Sequence, residues 1–320
     1  MQVYTVLIIG AGNIGAFFDT PQSEAVLTHA HAFSTHPGYR LAGFVDADRR
    51  LAERAAALWG GKPFISIGNA FAEEMIDVAV VAVPDECHFS VLRELATCPV
   101  KLVFVEKPLA TTFNEAHSAV ELFRQRRVSL AVNYSRRYVP EFRDLRDRIA
   151  AGEFGKFCAG SGYYGKGTLH NGSHLVDLIR FLLGEVSTTS TFGSIRDWKD
   201  DDPSCSAVLR LACGGQFVMQ AMDCRCYTIF EADLLFETGR IRLVDAGFLL
   251  EISGLEESPR YSNYQVLTGG TLSPTRMTVS LADAAQSLYD HLTADIQLLC
   301  TGDDGLSALK ICTDILGGHP

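Results

Sequence analysis

No apolar run in this 320-residue chain reaches the roughly 18 residues that a membrane-crossing helix needs. No basic stretch, apolar core and small-residue cleavage site stands before the first strand, so no export signal is expected. Positive charge is scarce, with 28 Lys and Arg against 38 Asp and Glu and a net charge of −10. That balance argues against nucleic acid or an anionic membrane surface as a partner. No Cys-x-x-Cys pair occurs among the nine cysteines, which are odd in number and scattered. Reduced thiols in the cytoplasm are the simplest reading. Cys224 and Cys226 flank Arg225, a spacing that on a strand puts both on one face. They lack companion ligands, so no metal is expected. Internal repeats, low-complexity tracts and flexible linkers are also missing.

What is present opens at residues 6–15, VLIIGAGNIG. Four apolar residues running into glycines look like a strand buried on both faces of a parallel sheet. Gly10 permits a tight turn, Gly12 a close approach of backbone to a pyrophosphate, and Gly15 the packing of helix on strand. With Asn13 and Ile14 between them, these residues form a candidate dinucleotide site, the pyrophosphate resting on free N–H groups at a helix start.

Further strands are expected at 40–45, 63–67, 77–83, 101–105 and 128–132, with helices at 49–59, 88–97 and 114–126. Strands alternating with helices imply βαβ units, hence a doubly wound α/β domain over residues 1–132. From residue 133 the texture changes. A helix at 140–150 precedes strands at 157–164, 188–195, 207–212 and 216–222, then a hairpin of 230–236 and 240–244 around Thr238-Gly239. Residues 133–320 therefore read as an α+β domain with a large, open, mostly antiparallel sheet. Its last helices, 281–299 and 306–316, are expected to pack back toward the first domain.

Asp46 closes the second strand, where a carboxylate can accept hydrogen bonds from an adenosine ribose. A 2′-phosphate beside it would be repelled, which favours NAD over NADP. The competing role is a helix cap. Asp46 lies 31 residues after Gly15, where about 20 are usual. The surplus is placed in 19–28, DTPQSEAVLT, read as a loop. A helix is expected to resume near Ser23 and to carry His29 and His31. The loop, including Asp19, is expected to emerge by the pyrophosphate and to cover cofactor or substrate.

Ligands in open α/β sheets bind at the carboxyl ends of the strands. Val83, Pro84 and His88 follow the fourth strand, and Glu106, Lys107 and Pro108 the fifth. They share an edge with the glycines. Lys107, between an apolar strand and a proline, would be partly desolvated.

Together, the glycine fingerprint, Asp46, Pro84-x-x-x-His88, Glu106-Lys107-Pro108 and the two-domain layout resemble the Gfo/Idh/MocA oxidoreductases. This is the family of glucose–fructose oxidoreductase and inositol dehydrogenase. The resemblance implies NAD(P)-dependent hydride transfer at a carbinol or carbonyl carbon of a sugar, cyclitol or sugar derivative, a sugar phosphate or nucleotide sugar included. It gives Lys107 the reacting oxygen, Glu106 the nicotinamide-ribose side and His174 the general base. Catalysis would thus fall to Lys107, His174 and His170. Yet His170 stands where many relatives carry an aspartate, and it cannot stabilise an imidazolium as a carboxylate does. Tyr134, Tyr164, Lys166 and Asn171 join Lys107 and His174 as candidates for substrate contacts. Asp177, three residues past His174, would fix that ring or pair locally. Arg137 reads mainly as scaffold. The resemblance also implies a homodimer or homotetramer. Alternatives are an NAD-dependent glycosidase using transient oxidation and a non-catalytic sensor.

Overall fold

The computed structural model describes residues 2–318. The first strand, β1 (Tyr4–Ile9), is buried at every position. It is followed by α1 (His29–Thr35), β2 (Tyr39–Val45), α2 (Arg49–Trp59), β3 (Lys62–Phe64) and α3 (Ile67–Glu73). Then come β4 (Val78–Val81), α4 (His88–Leu95), β5 (Leu102–Val105), α5 (Phe113–Arg126) and β6 (Ser129–Val132). The six strands pair in the order β3-β2-β1-β4-β5-β6, every pair parallel. β4 and β5 are wholly buried Val, Ala, Leu and Phe, as strands covered on both faces must be. The order reverses between β1 and β4, the place where such sheets open a crevice beyond their carboxyl ends.

The helix starts are set by side-chain caps. Asp48 accepts the Arg50 N–H at α2, Ser66 that of Asn69 at α3, and Thr112 that of Glu115 at α5. The cap at Ser66 ends the third strand at Phe64 rather than Ile67, and the short α3 that follows was not expected.

Two compact units divide the chain. One runs to Tyr138 and includes Thr278–Leu309; the other is Val139–Met277 with the chain from Lys310 onward. The second unit contains α6 (Pro140–Ala150), β7 (Phe157–Tyr164), α7 (Ser173–Leu183), β8 (Val186–Lys199), β9 (Asp202–Leu211) and β10 (Gln216–Ala221). It continues with β11 (Phe230–Phe236), β12 (Gly239–Val244), β13 (Leu249–Ser253), β14 (Leu255–Glu257), β15 (Gln265–Leu267) and β16 (Thr271–Pro274). Eight of these strands form a sheet in the order β16-β13-β12-β11-β7-β10-β9-β8. Only β7 and β10 pair in parallel; the other pairs are antiparallel.

One face of this sheet builds the core of the unit. Phe142 and Leu145 of α6 and Leu178 and Leu182 of α7 meet Leu234, Ile241 and Leu243 from the sheet. The intervening residues on β11 and β12 are half-buried or exposed, as strand alternation requires. β13 and β16 extend the sheet beyond the expected hairpin, while β14 and β15 pair separately with each other. Cys224 and Cys226 lie in a turn, not on a strand.

α8 (Ser280–Ala294) and α9 (Gly302–Gly317) close the chain. α8 stops five residues before Leu299, where Asp295 adopts φ 52°, a left-handed helix terminus.

Candidate active site

The glycine turn after β1 meets the steric demands of its fingerprint. Gly10 has φ +98°, and a Cβ there would lie 2.4 Å from the Ala82 carbonyl oxygen. A Cβ on Gly15 would lie 2.1 Å from the Gly10 carbonyl oxygen. Gly12 differs: a Cβ there would meet nothing within 4 Å. Its smallness serves no packing within the protein; it leaves open space against the backbone, as a bound pyrophosphate needs. Asn13 to Phe17 form a single π turn in which Asn13 is exposed. The residues present thus fit a dinucleotide.

Asp46 fastens this turn. Its Oδ2 accepts the Ala11 N–H at 2.7 Å and its Oδ1 the Asp48 N–H at 2.8 Å. The cap of α2 is Asp48, so Asp46 is not that helix's cap.

The loop after the π turn differs from expectation. No helix resumes near Ser23; α1 begins at His29, capped by Thr28. Asp19 does not emerge into the crevice but is buried at 7% exposure. Its carboxylate accepts from Leu27 N–H at 2.6 Å, Thr28 Oγ1 at 2.6 Å and His31 Nδ1 at 2.8 Å. A buried carboxylate needs such donors, and the start of α1 supplies them.

At the end of β5, Glu106 is likewise turned inward. Its Oε1 accepts from His29 Nε2 and from Asn133 Nδ2, each at 2.7 Å. Burial pushes its carboxyl up, yet His29, Asn133 and the Lys107 charge together hold it below the usual glutamate range. Lys107 follows, half-buried, joined to Pro108 by a cis peptide bond. Val83 is half-buried and Pro84 exposed at the end of β4.

His88 does not present its ring to a ligand. It is fully buried, with Nδ1 2.6 Å from the Pro108 carbonyl oxygen and Nε2 3.0 Å from that of Val83. Carbonyls only accept, so a neutral ring satisfies one of them and an imidazolium both. The ring ties the ends of β4 and β5 together. Tyr134 is 1% exposed and belongs to the core. Arg137 pairs with Asp304 at 3.1 Å, as scaffold does.

In the second unit, Tyr164 also proves structural. Its hydroxyl donates to the Cys205 carbonyl at 2.6 Å and accepts the Cys205 N–H at 2.9 Å. Burial raises its pKa, keeping the phenol neutral. Strand alternation exposes its neighbour Tyr163 instead.

Residues 168–172 form one π turn that feeds α7. Asp202 holds it from the start of β9, accepting the Leu169 N–H at 2.7 Å and the His170 N–H at 3.0 Å. Burial raises the Asp202 carboxyl above its ordinary range, against the pull of these amides and of His170. The His170 ring stacks on Trp198, centroids 5.2 Å apart, and Lys166 Nζ lies 4.7 Å from the same ring's centroid. Lys166 is anchored by its N–H to Asp197 Oδ2 at 2.8 Å. Asn171 Nδ2 donates to the Gly165 carbonyl at 2.9 Å, so its amide braces the loop. His174 is half-buried at the start of α7, edge-on to Phe230 at 6.3 Å. Asp177 is buried one turn on.

Among the described residues, no group of three or more His, Cys, Asp or Glu side chains could hold a metal ion. Nor is any helix there long and apolar enough to cross a membrane. His29, His31, Asn133, Trp198 and Asp202 were absent from the candidates read from sequence. Thr28-His-Ala-His was the one local signal, a capping residue followed by alternating imidazoles.

A 3-2-1-4-5-6 parallel sheet, a glycine turn open at Gly12 and an acid after the second strand define a dinucleotide-binding protein of the Rossmann class. The family model described as "Oxidoreductase family, NAD-binding Rossmann fold" matches residues 4–134. Over these residues the chain is similar to the Gfo/Idh/MocA oxidoreductases. It is 25% identical to inositol 2-dehydrogenase of Rhizobium meliloti (strain 1021), over 95% of this chain and 93% of that one. Its fold resembles that of the WlbA dehydrogenase from Bordetella pertussis in complex with NADH and UDP-GlcNAcA. There the TM-score is 0.81 at 20% identity, covering 99% of this chain and 95% of that chain. UDP-N-acetylglucosamine 3-dehydrogenase GnnA from Acidithiobacillus ferrooxidans gives a TM-score of 0.77 at 18% identity, covering 100% and 98%.

Proposed function

We propose that this chain is an NAD-preferring dehydrogenase or reductase acting at a CH–OH carbon of a sugar, a cyclitol or a derivative of either. The observation that carries this reading is Lys107 at the carboxyl end of β5, on the edge of the sheet that also bears the open Gly12 turn and Asp46. The likeness to an inositol 2-dehydrogenase along nearly the whole chain supports the cyclitol or sugar. Nicotinamide supplies the hydride chemistry when bound. Lys107 donates to the reacting oxygen and stabilises alkoxide character there. His174 exchanges the hydroxyl proton. Asp46 favours NAD, because a 2′-phosphate would meet its charge. Domain roles follow: residues 1–132 hold the cofactor and 133–320 the substrate, with copies associating as a dimer or tetramer.

A sugar, cyclitol and nucleotide-sugar panel followed at the absorbance of reduced nicotinamide tests the reading. Net NADH formation supports it, and Lys107→Ala should then depress turnover far more than NAD affinity. Glycoside cleavage without net NADH would replace it with transient-oxidation hydrolysis. Ligand binding with neither would leave a sensor.

A further inference from the structure

Two buried histidines stand on either side of Lys107, each holding a residue adjacent to it. His88 meets the carbonyl of Pro108. His29 meets the carboxylate of Glu106 at 2.7 Å. His29 is wholly buried, edge-on to Phe104 with centroids 5.4 Å apart and near-parallel to Phe33 at 6.5 Å. Its Nδ1 has no hydrogen-bond partner. An imidazole enclosed by aromatic rings with one nitrogen unsatisfied is a costly core filler. Its one polar contact points at the residue before Lys107.

His29 is itself fixed from the opposite side. It is the first residue of α1, and the Thr28 hydroxyl before it donates to Asp19 while accepting the His31 N–H at 3.1 Å. Asp19 also takes the Leu27 N–H and His31 Nδ1. The segment inserted after the glycine turn therefore ends in a buried knot that sets the start of α1.

We propose that His29 is a positioning residue for Lys107. Acting through Glu106, it fixes the backbone from which the ammonium extends, and the Asp19–Thr28–His31 knot fixes His29. The inference rests on the reading of Lys107 as the group that meets the reacting oxygen. Asn133 donates to the same Glu106 oxygen, so loss of His29 leaves the carboxylate held on one side only.

The test compares His29→Gln with His29→Asn in the full chain. Both fill the site with an amide, but only the glutamine nitrogen extends to the position of Nε2. The first readout is the rate at which Lys107 is acylated by acetic anhydride in the cofactor-free protein, followed by peptide mass spectrometry. The second is kcat and KM with NAD and whichever polyol the parent oxidises. His29→Asn should change Lys107 acylation several-fold and lower kcat by about tenfold to a hundredfold, the scale of a small misplacement of a reacting group. KM for NAD should stay near the parent value, and His29→Gln should restore both readouts. Equal behaviour of the two variants, or acylation like the parent's in both, would overturn the proposal. If the parent oxidises no polyol, the functional reading fails instead, while acylation still decides whether His29 sets Lys107. Thermal melts check folding. If His29→Asn does not fold, Asp19→Asn, which weakens the knot without touching His29 or Glu106, should shift Lys107 acylation in the same direction; no shift would overturn the proposal.

Discussion

The carboxylate of Asp46 accepts the amide of Ala11 at 2.7 Å, so the acid that ends β2 also fastens the turn that ends β1. Asp46→Ala removes both this bond and the proposed ribose acceptor. A hydrogen bond to a charged group is worth about 1.5–3 kcal/mol. NAD affinity should therefore fall by about tenfold or more, and the preference for NAD over NADP should shrink. Calorimetric titration with each nucleotide checks this, and unchanged affinity and selectivity would remove Asp46 from the cofactor site.

Glu106 gives up its proton more readily in the folded chain than in the unfolded one. Its contribution to stability is complete above the unfolded value of about 4.3. It disappears as pH falls through the lower folded value. Glu106→Gln should be less stable than the parent at neutral pH, with the two converging in acid. Urea unfolding from pH 7 down to pH 3 measures this; parallel curves would separate the Glu106 charge from folding.

The Tyr164 hydroxyl both donates to and accepts from the backbone of Cys205. Tyr164→Phe takes the hydroxyl donor from the Cys205 carbonyl and leaves the Cys205 N–H to Thr168 Oγ1 at 3.0 Å, and should cost about 1–3 kcal/mol. Denaturant titration gives the value. Turnover of the surviving folded enzyme should change little, and a large selective loss would return Tyr164 to the substrate site.

No disulfide joins the nine cysteines, and Cys158, Cys213 and Cys226 are exposed while Cys205, Cys300 and Cys312 are buried. Burial pushes the Cys312 thiol up, which keeps it protonated, and only the thiolate is a good nucleophile. Native protein should react with a disulfide reagent first at the three exposed sites, and the buried three only on unfolding. Early modification of Cys312 would contradict this packing.

Local signals made some of this legible in the sequence. The helices over 49–59 and 140–150 begin where expected because Asp48 caps one and Pro140 opens the other. The glycine turn and Asp46 could be read because each residue's duty is set by backbone geometry close at hand. Partners far along the chain could not be read. The start of α1 depends on Asp19, nine residues before Thr28, and the role of His29 on Glu106, 77 residues away. Tyr164 was misassigned because tyrosine suits either face of a strand, and the face is chosen by where α7 packs. The inward turn of His88 depends on the Pro108 carbonyl, which its own helix does not reveal.

Gly12 offers one more use. Its backbone, at φ −80° and ψ −161°, is accessible to any L-residue, and among the described residues a methyl group there would touch nothing within 4 Å beyond its own chain neighbours. An alanine at this position should leave the apo protein's melting curve where it was, yet crowd whatever occupies the hollow. That gives a reference protein blind to one ligand and otherwise intact, against which binding of every other ligand can be measured.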